Sequence, residues 1–182
     1  MMKERWTVES EIDSSGRTLE EFLKQYDPGN FPRPSLTADI CVFSEKGLLL
    51  IVRRNHPFIH HWALPGGFAD KNETLEDTAK RELEEETSIR ADNMQLVGVY
   101  SRYGRDPRGW TVTAAYMKNV RLQDITVAAG DDAGDARWFR VSEISGRLHL
   151  ECDDFYIEEE DLAFDHNEVI RDACRMQGIL KY

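Results

Sequence analysis

The sequence predicts an α/β (α+β) fold, a mixed β-sheet with helices covering both faces. Three observations carry that expectation. Short apolar runs rich in β-branched and aromatic residues recur between turn residues, among them LTADICVF, LLLIVR, QLVGVYSRY, WTVTAAYMK and ARWFRV. Two other segments, Leu75 to Thr87 and Asp165 to Gln177, repeat their apolar residues at helical spacing. The strand-like runs stand on both sides of the first helical segment, so the two element types interleave.

Each element has its own local reason. Thr18 to Tyr26 predicts a short helix with Leu19, Phe22 and Leu23 on one face, and DPGNFPRP ends it because proline and glycine interrupt regular structure. Residues 1–34 therefore read as an N-terminal arm and 35–182 as the main domain, the arm packing on its own domain or on a second copy. Leu36 to Phe43 and Leu48 to Arg53 form a hairpin through SEKG. A loop containing Pro57 leads to a short strand, Trp62 to Leu64, and Pro65-Gly66-Gly67 is expected to break the chain. The next helix is capped by Thr74, with Asp77 three residues on, and ends near Thr87-Ser88. Gln95 to Tyr103 and Trp110 to Lys118 are strands flanking the polar loop GRDPRG. The small, acidic stretch VAAGDDAGDA is a loop before the strand Ala136 to Val141. Ser142 is expected to cap a helical turn, and Asp153 to Asp161 to be exposed. Val169, Ile170 and Ala173 face inward from the last helix.

Composition narrows the function classes. With 182 residues, 41% hydrophobic and 10% aromatic, the chain suits one folded domain. Its formal net charge of −11 and lack of a basic tract oppose nucleic-acid backbone binding. No apolar run approaches the ~20 residues of a membrane span, and MMKERWTVESEIDSS has no apolar core of a secretory signal. Cys41, Cys152 and Cys174 are odd in number and far apart, forming neither a disulfide framework nor a clustered zinc site. The expectation is a cytoplasmic protein with no membrane partner.

The distinctive feature is Trp62 to Ile89. Glu82, Glu85 and Glu86 stand at i, i+3 and i+4, within an arc of roughly 100° on a helix. Leu75, Ala79 and Leu83 form a separate stripe that faces a core. Like charges so placed repel, so a positive partner is expected. Hard cations such as Mg²⁺ take oxygen ligands and often bridge to substrate phosphates. The other reading, a solvated acidic helix face, suits an isolated glutamate pair better than this set.

Written as a pattern, Gly67, Glu73 and Arg81-Glu82-Leu83-Glu84-Glu85-Glu86-Thr87-Ser88-Ile89 resembles the Nudix box, G-x5-E-x7-R-E-U-x-E-E-x-G-U. One defined position departs: Ser88 stands where the family has its second glycine. Outside the box, RPSLTADICVF, RRNHPFIHHWALPGGF, RYGRDPRGW, AGDDAGDARWF and LAFDH resemble the branch containing ADP-ribose pyrophosphatases and related NAD-metabolism regulators, over Pro32 to Ala173.

The resemblance implies a Nudix-type α/β/α sandwich with a catalytic loop-helix. It implies a Mg²⁺-dependent hydrolase (Mn²⁺ as the alternative ion) that cleaves the pyrophosphate of a nucleoside diphosphate-linked small molecule, ADP-ribose foremost. Glu82, Glu85, Glu86 and the Gly66 carbonyl would hold the metal. Arg81 would orient the carboxylates, with Glu73 its structural partner. The base would be Glu82 or an acid of the later loop, Asp131, Asp132 or Asp135, with Asp132 favoured. Arg54, Arg105 and Arg108 are candidates for phosphate or ribose contacts, and Tyr103, Trp110 or Phe58 for stacking a base. His56, His60 and His61 lack the clustering of a zinc site; His166 caps the last helix or lines a pocket wall. A different class of function is a regulator that binds such a nucleotide without turnover. Regulators of that group carry a DNA-binding domain after the Nudix domain, for which too few residues remain here. Nudix enzymes of this kind are often homodimers, and the arm offers a means of exchange between subunits.

Overall fold

The structure, a computed structural model, describes residues 12–124, 136–153 and 155–181. The chain divides into two compact units, Met1–Arg33 and Pro34–Tyr182. In the first, helix α1 (Leu19–Gln25) begins in a reciprocal capping box between Thr18 and Glu21, which satisfies two backbone donors at once. Phe22, Tyr26 and Phe31 stack in sequence behind it, with centroids 5.5 and 6.1 Å apart.

The second unit is built on one mixed sheet. Its strands are β1 (Ser35–Ser44), β2 (Gly47–Val52), β3 (Trp62–Ala63), β4 (Gly66–Phe68), β5 (Gln95–Tyr100), β6 (Thr111–Asn119), β7 (Ala136–Ile144), β8 (Arg147–Glu151) and β9 (Tyr156–Glu158). Their order is β5-β6-β1-β2-β7-β8-β9, with β3 on β2 and β4 on β1. β1 and β6 run parallel, and β1 meets β2 and β4 antiparallel.

Period-2 burial divides the core between the two faces of this sheet. Ala38, Ile40, Val42 and Leu49 pack with Ala79 and Leu83 of α2 (Leu75–Thr87). Cys41, Phe43, Leu48 and Leu50 pack with Val169, Ile170 and Ala173 of α3 (His166–Met176). Each helix therefore covers its own face, and the expected layered architecture is found.

One irregularity of the sheet makes room for a site. β1 pairs β2 only through Phe43–Leu48 and Ser44–Gly47. Beyond that point β2 turns to β3, and the earlier residues Thr37 to Asp39 of β1 take β4 instead. The two strands fork, and the chain from Trp62 to Phe68 fills the fork.

Several expectations are corrected by the pairing. Pro65-Gly66-Gly67 does not break the chain outright, because Gly66–Phe68 is itself a strand on β1. Ser142 caps no helix; it lies inside β7 opposite His149, and β8 was missed although RLHLE alternates, with Leu148 and Leu150 both buried. Part of the acidic segment is also ordered: β9 pairs β8 and buries Ile157. Asp165, not His166, occupies the cap position of α3, and its side chain makes no capping bond.

Candidate active site

The site begins with the entrance to α2. Thr74 accepts from the Asp77 backbone N–H at 3.1 Å, and its hydroxyl donates to the Asp77 carboxylate at 2.6 Å. Glu76 and Asp77 lie in the first turn, where the helix dipole favours negative charge. At the other end Ser88 takes the left-handed conformation, φ 60° and ψ 12°, while its N–H still donates to the Glu84 carbonyl at 2.8 Å. The helix leaves along the path a glycine would take, with serine bearing the strain.

Arg81 is the hub of the acid face. Its Nε and Nη2 donate to the two oxygens of Glu73 at 3.0 Å each. Its Nη1 donates to Glu82 at 2.7 Å and to Glu85 at 3.2 Å, and Nη2 reaches the Phe68 carbonyl at 2.9 Å. The guanidinium thus joins the helix to β4 and supplies a positive partner for two of the crowded glutamates. Glu73, bonded also by the Asp70 N–H and the Thr78 hydroxyl, is held down at about 2, with the Arg81 bond the largest cause.

Glu86 is the carboxylate outside that network. It accepts from the Gly66 N–H at 2.9 Å. Its surface opens to the cleft, yet the chain packed around the carboxyl strips enough water to push it up to about 7. The Gly66 bond and Arg53 oppose that rise, and Glu82 and Asp39 reinforce it.

Two glycines stand where a Cβ would meet a close neighbour, backbone at Gly66 and a side-chain end at Gly67. A Cβ on Gly66, which has φ 156°, would lie 2.3 Å from the Ala38 carbonyl oxygen. A Cβ on Gly67 would lie 2.3 Å from a Glu82 carboxylate oxygen. Gly66 also sits opposite Asp39 between the ladder bonds Ile40 N–H to Pro65 and Ala69 N–H to Leu36. By the alternation of an antiparallel pair its N–H and C=O both turn away from β1, the N–H toward Glu86.

These donors fit a hard divalent cation. Carboxylate oxygens and a backbone carbonyl outside the ladder are the donor types that Mg²⁺ or Mn²⁺ takes, with water and phosphate completing the shell. Among the described residues no three His, Cys, Asp or Glu side chains are arranged to hold a metal ion; Glu82 and Glu85 lean on Arg81 while Glu86 leans on Gly66.

Glu85 and Glu86 open onto a cleft of about 320 Å³ shared with Arg53, Arg54 and Asn55. A narrower slot, about 50 Å³, lies beside Gly66 and Gly67 and is lined by Arg53, Arg108, Phe68, Phe164, Asp39 and His166, among others. Phe164 lies under both guanidiniums, with Arg53 4.8 Å and Arg108 5.4 Å from its centroid. Buried Asp106 grips Arg108 through paired bonds, one of 2.7 Å. Desolvation, then Arg108, lowers the pKa of Arg53.

The other candidates fall variously. Arg54 lines the cleft and Arg108 the slot. Arg105 also lines the slot, but its side chain is only 4% exposed and forks onto Asp165 at 2.7 and 2.8 Å, an arrangement that braces the slot's floor. Tyr103 is 99% exposed and lines neither opening. Phe58 packs edge-on against Phe164, and Trp110 is exposed. Asp131, Asp132 and Asp135 lie outside the described residues. His166 lines the slot wall, kept neutral by burial, which lowers its pKa. Asp39 was missed, although a lone carboxylate within the apolar run LTADICVF is the signature of a buried polar group with a task.

Comparison with known proteins shows the family. The NUDIX domain model matches residues 33–158. The ADP-ribose pyrophosphatase of Methanocaldococcus jannaschii is 34% identical over 145 residues, covering 80% of this chain and 76% of the relative. The ADPR responsive transcriptional repressor NtrR of Acinetobacter baylyi is 34% identical over 168 residues, 88% of this chain, which spans 62% of the repressor's length. Among solved structures, the NUDIX domain of Shewanella oneidensis NrtR complexed with ADP ribose has a TM-score of 0.65 and 30% identity, covering 88% of this chain and 99% of that one. The chain belongs to the NUDIX domain family, and its class is that of a Nudix pyrophosphohydrolase. Among the described residues no helix is long and apolar enough to cross a membrane.

Proposed function

We propose that the chain hydrolyses a nucleoside diphosphate derivative, with ADP-ribose to AMP and ribose 5-phosphate the best-supported reaction. The carrying observation is that Glu85 and Glu86 open onto the same cleft as Arg53 and Arg54, so acid for a cation and base for phosphate share one volume. In this reading Glu82, Glu85, Glu86 and the Gly66 carbonyl hold Mg²⁺, with Mn²⁺ the alternative. When bound, the ion neutralises phosphate charge and lowers the pKa of the attacking water. Arg81 keeps the carboxylates in register, and Glu82 or Asp132 takes the water's proton. The oxygen of that water bonds to phosphorus as the bridging P–O bond breaks. Arg54 and Arg108 bind the phosphates or ribose, and Arg105 acts through Asp165 as a brace.

A second reading, a nucleotide-sensing regulator, is favoured by the likeness to a NUDIX domain complexed with ADP ribose. The two are separated by a hydrolysis screen with Mg²⁺ or Mn²⁺ over ADP-ribose, NADH, nucleotide sugars, diadenosine polyphosphates and 8-oxo nucleotides. AMP release that disappears in Glu85→Gln and Glu86→Gln supports the enzyme. Tight ADP-ribose binding without turnover supports the sensor. The proposal extends to a cytoplasmic location and to a homodimer, the latter supported by the open apolar residues Leu96 and Val99 of the edge strand β5; light scattering checks the mass.

A further inference from the structure

Leu64 and Pro65 join β3 to β4, and the chain on either side is held by the sheet: Trp62–Ala63 on β2 and Gly66–Phe68 on β1. The Leu64 N–H instead turns to the helix layer, donating to His166 Nδ1 at 2.9 Å. Both residues are 2% exposed, so water has no access to replace the imidazole. A ring nitrogen that accepts carries no proton, which leaves the proton of the neutral ring on Nε2. That nitrogen faces Asp39 Oδ1 at 3.7 Å. Asp39 lies directly beneath Gly66, where an added Cβ would meet Oδ1 at 2.7 Å, and is itself fixed by the Thr113 hydroxyl at 2.6 Å. Asp165, the residue before His166, is locked by the buried Arg105 fork. The imidazole is therefore delivered from a helix start that cannot shift freely.

We propose that His166 is a positioning residue for the cation site. Its bond to Leu64, together with the Ile40 N–H on the Pro65 carbonyl, sets the height of Leu64-Pro65-Gly66 in the fork between β1 and β2. That in turn aims the Gly66 carbonyl at the ion the three glutamates would hold. His166 acts through two residues of backbone. The proposal rests on the metal reading above, and its test separates the two.

The test uses the full chain. Mn²⁺ affinity is measured by calorimetry, the Leu64 amide by hydrogen exchange in metal-free protein, and kcat and KM with ADP-ribose. His166→Leu is expected to lose protection at Leu64 and to weaken Mn²⁺ binding by about tenfold or more, lowering kcat with little change in KM. His166→Asn, whose side-chain oxygen replaces Nδ1, is expected to restore both Leu64 protection and Mn²⁺ binding. His166→Gln places its polar atoms further out and is expected to restore neither. Should the leucine variant fail to fold, the asparagine and glutamine variants alone decide. Normal Mn²⁺ affinity in folded His166→Leu, or asparagine no better than glutamine, overturns the positioning role. Glu86→Gln is the control: if it leaves Mn²⁺ binding unchanged, the metal reading falls and this proposal with it. If Glu86→Gln weakens binding while His166→Leu does not, only the positioning role is lost.

Discussion

Replacing Gly67 with alanine offers a direct probe of how finely the acid face is placed. The new Cβ would stand 2.3 Å from a Glu82 oxygen, inside the 3.4 Å of ordinary contact. The carboxylate must retreat by about 1 Å, and a misplacement of that size costs about 100-fold in kcat when it falls on the reacting groups. The fold loses much less. Gly67 lies in ordinary extended backbone, and only the Arg81–Glu82 bond is disturbed. The bonds of Arg81 to Glu73, Glu85 and the Phe68 carbonyl remain. A loss below about 1 kcal/mol corresponds to a fall in Tm of no more than about 4 °C for a chain of this size. Calorimetry and Mg²⁺-dependent AMP release from ADP-ribose give the two readouts. Wild-type kcat in Gly67→Ala would refute the reasoning, for it would mean that Glu82 either relocates without consequence or lies outside the machinery. Gly66→Ala is the contrasting case, because there the Cβ meets the Ala38 backbone and stability itself should fall.

Three further outcomes are expected. Ser88→Gly relieves a positive φ and should stabilise the protein by about 0.5–1 kcal/mol, read as a rise in Tm of about 1–4 °C; a lower Tm would contradict the strain. The folded-state pKa of Glu86 is raised from 4.5 to about 7, so the folded protein holds this proton longer than the unfolded chain. In EDTA its contribution is therefore most favourable below about pH 4.5 and is lost as pH rises through 7. Glu86→Gln should flatten that part of a Tm–pH profile, while Mn²⁺ affinity of the wild type should climb over the same window as the proton is displaced. Arg108→Ala removes the guanidinium from over Phe68 and Phe164; KM for ADP-ribose should rise with kcat little affected, and an unchanged KM would place the substrate elsewhere.

The acid face was legible in the sequence because a helix converts spacing into angle. Glu82, Glu85 and Glu86 had to share a side, Arg81 had to lie beside Glu85, and Thr74 had the right type and place to cap. The division of the core was legible for the same reason, since alternate residues of β1 had to face opposite layers. The fork between β1 and β2 was not. It depends on which partner each half of β1 chooses, and strand pairing is decided between segments far apart in the chain.

The sequence by itself determined the acid face, because local periodicity suffices to gather carboxylates on one helix, and its resemblance to the Nudix box implied the class of reaction. Only the tertiary structure decided what those carboxylates lean on. It spent Arg105 on Asp165, left Tyr103 in solvent, and turned Arg53 and Arg108 onto Phe164. It also brought His166 across 102 positions of sequence to hold the Leu64 amide. Each of these turns on burial, which makes an arginine seek a carboxylate and an amide seek an acceptor once water is excluded. Burial is a property of the packed chain, and no spacing along it announces which distant partner will be there.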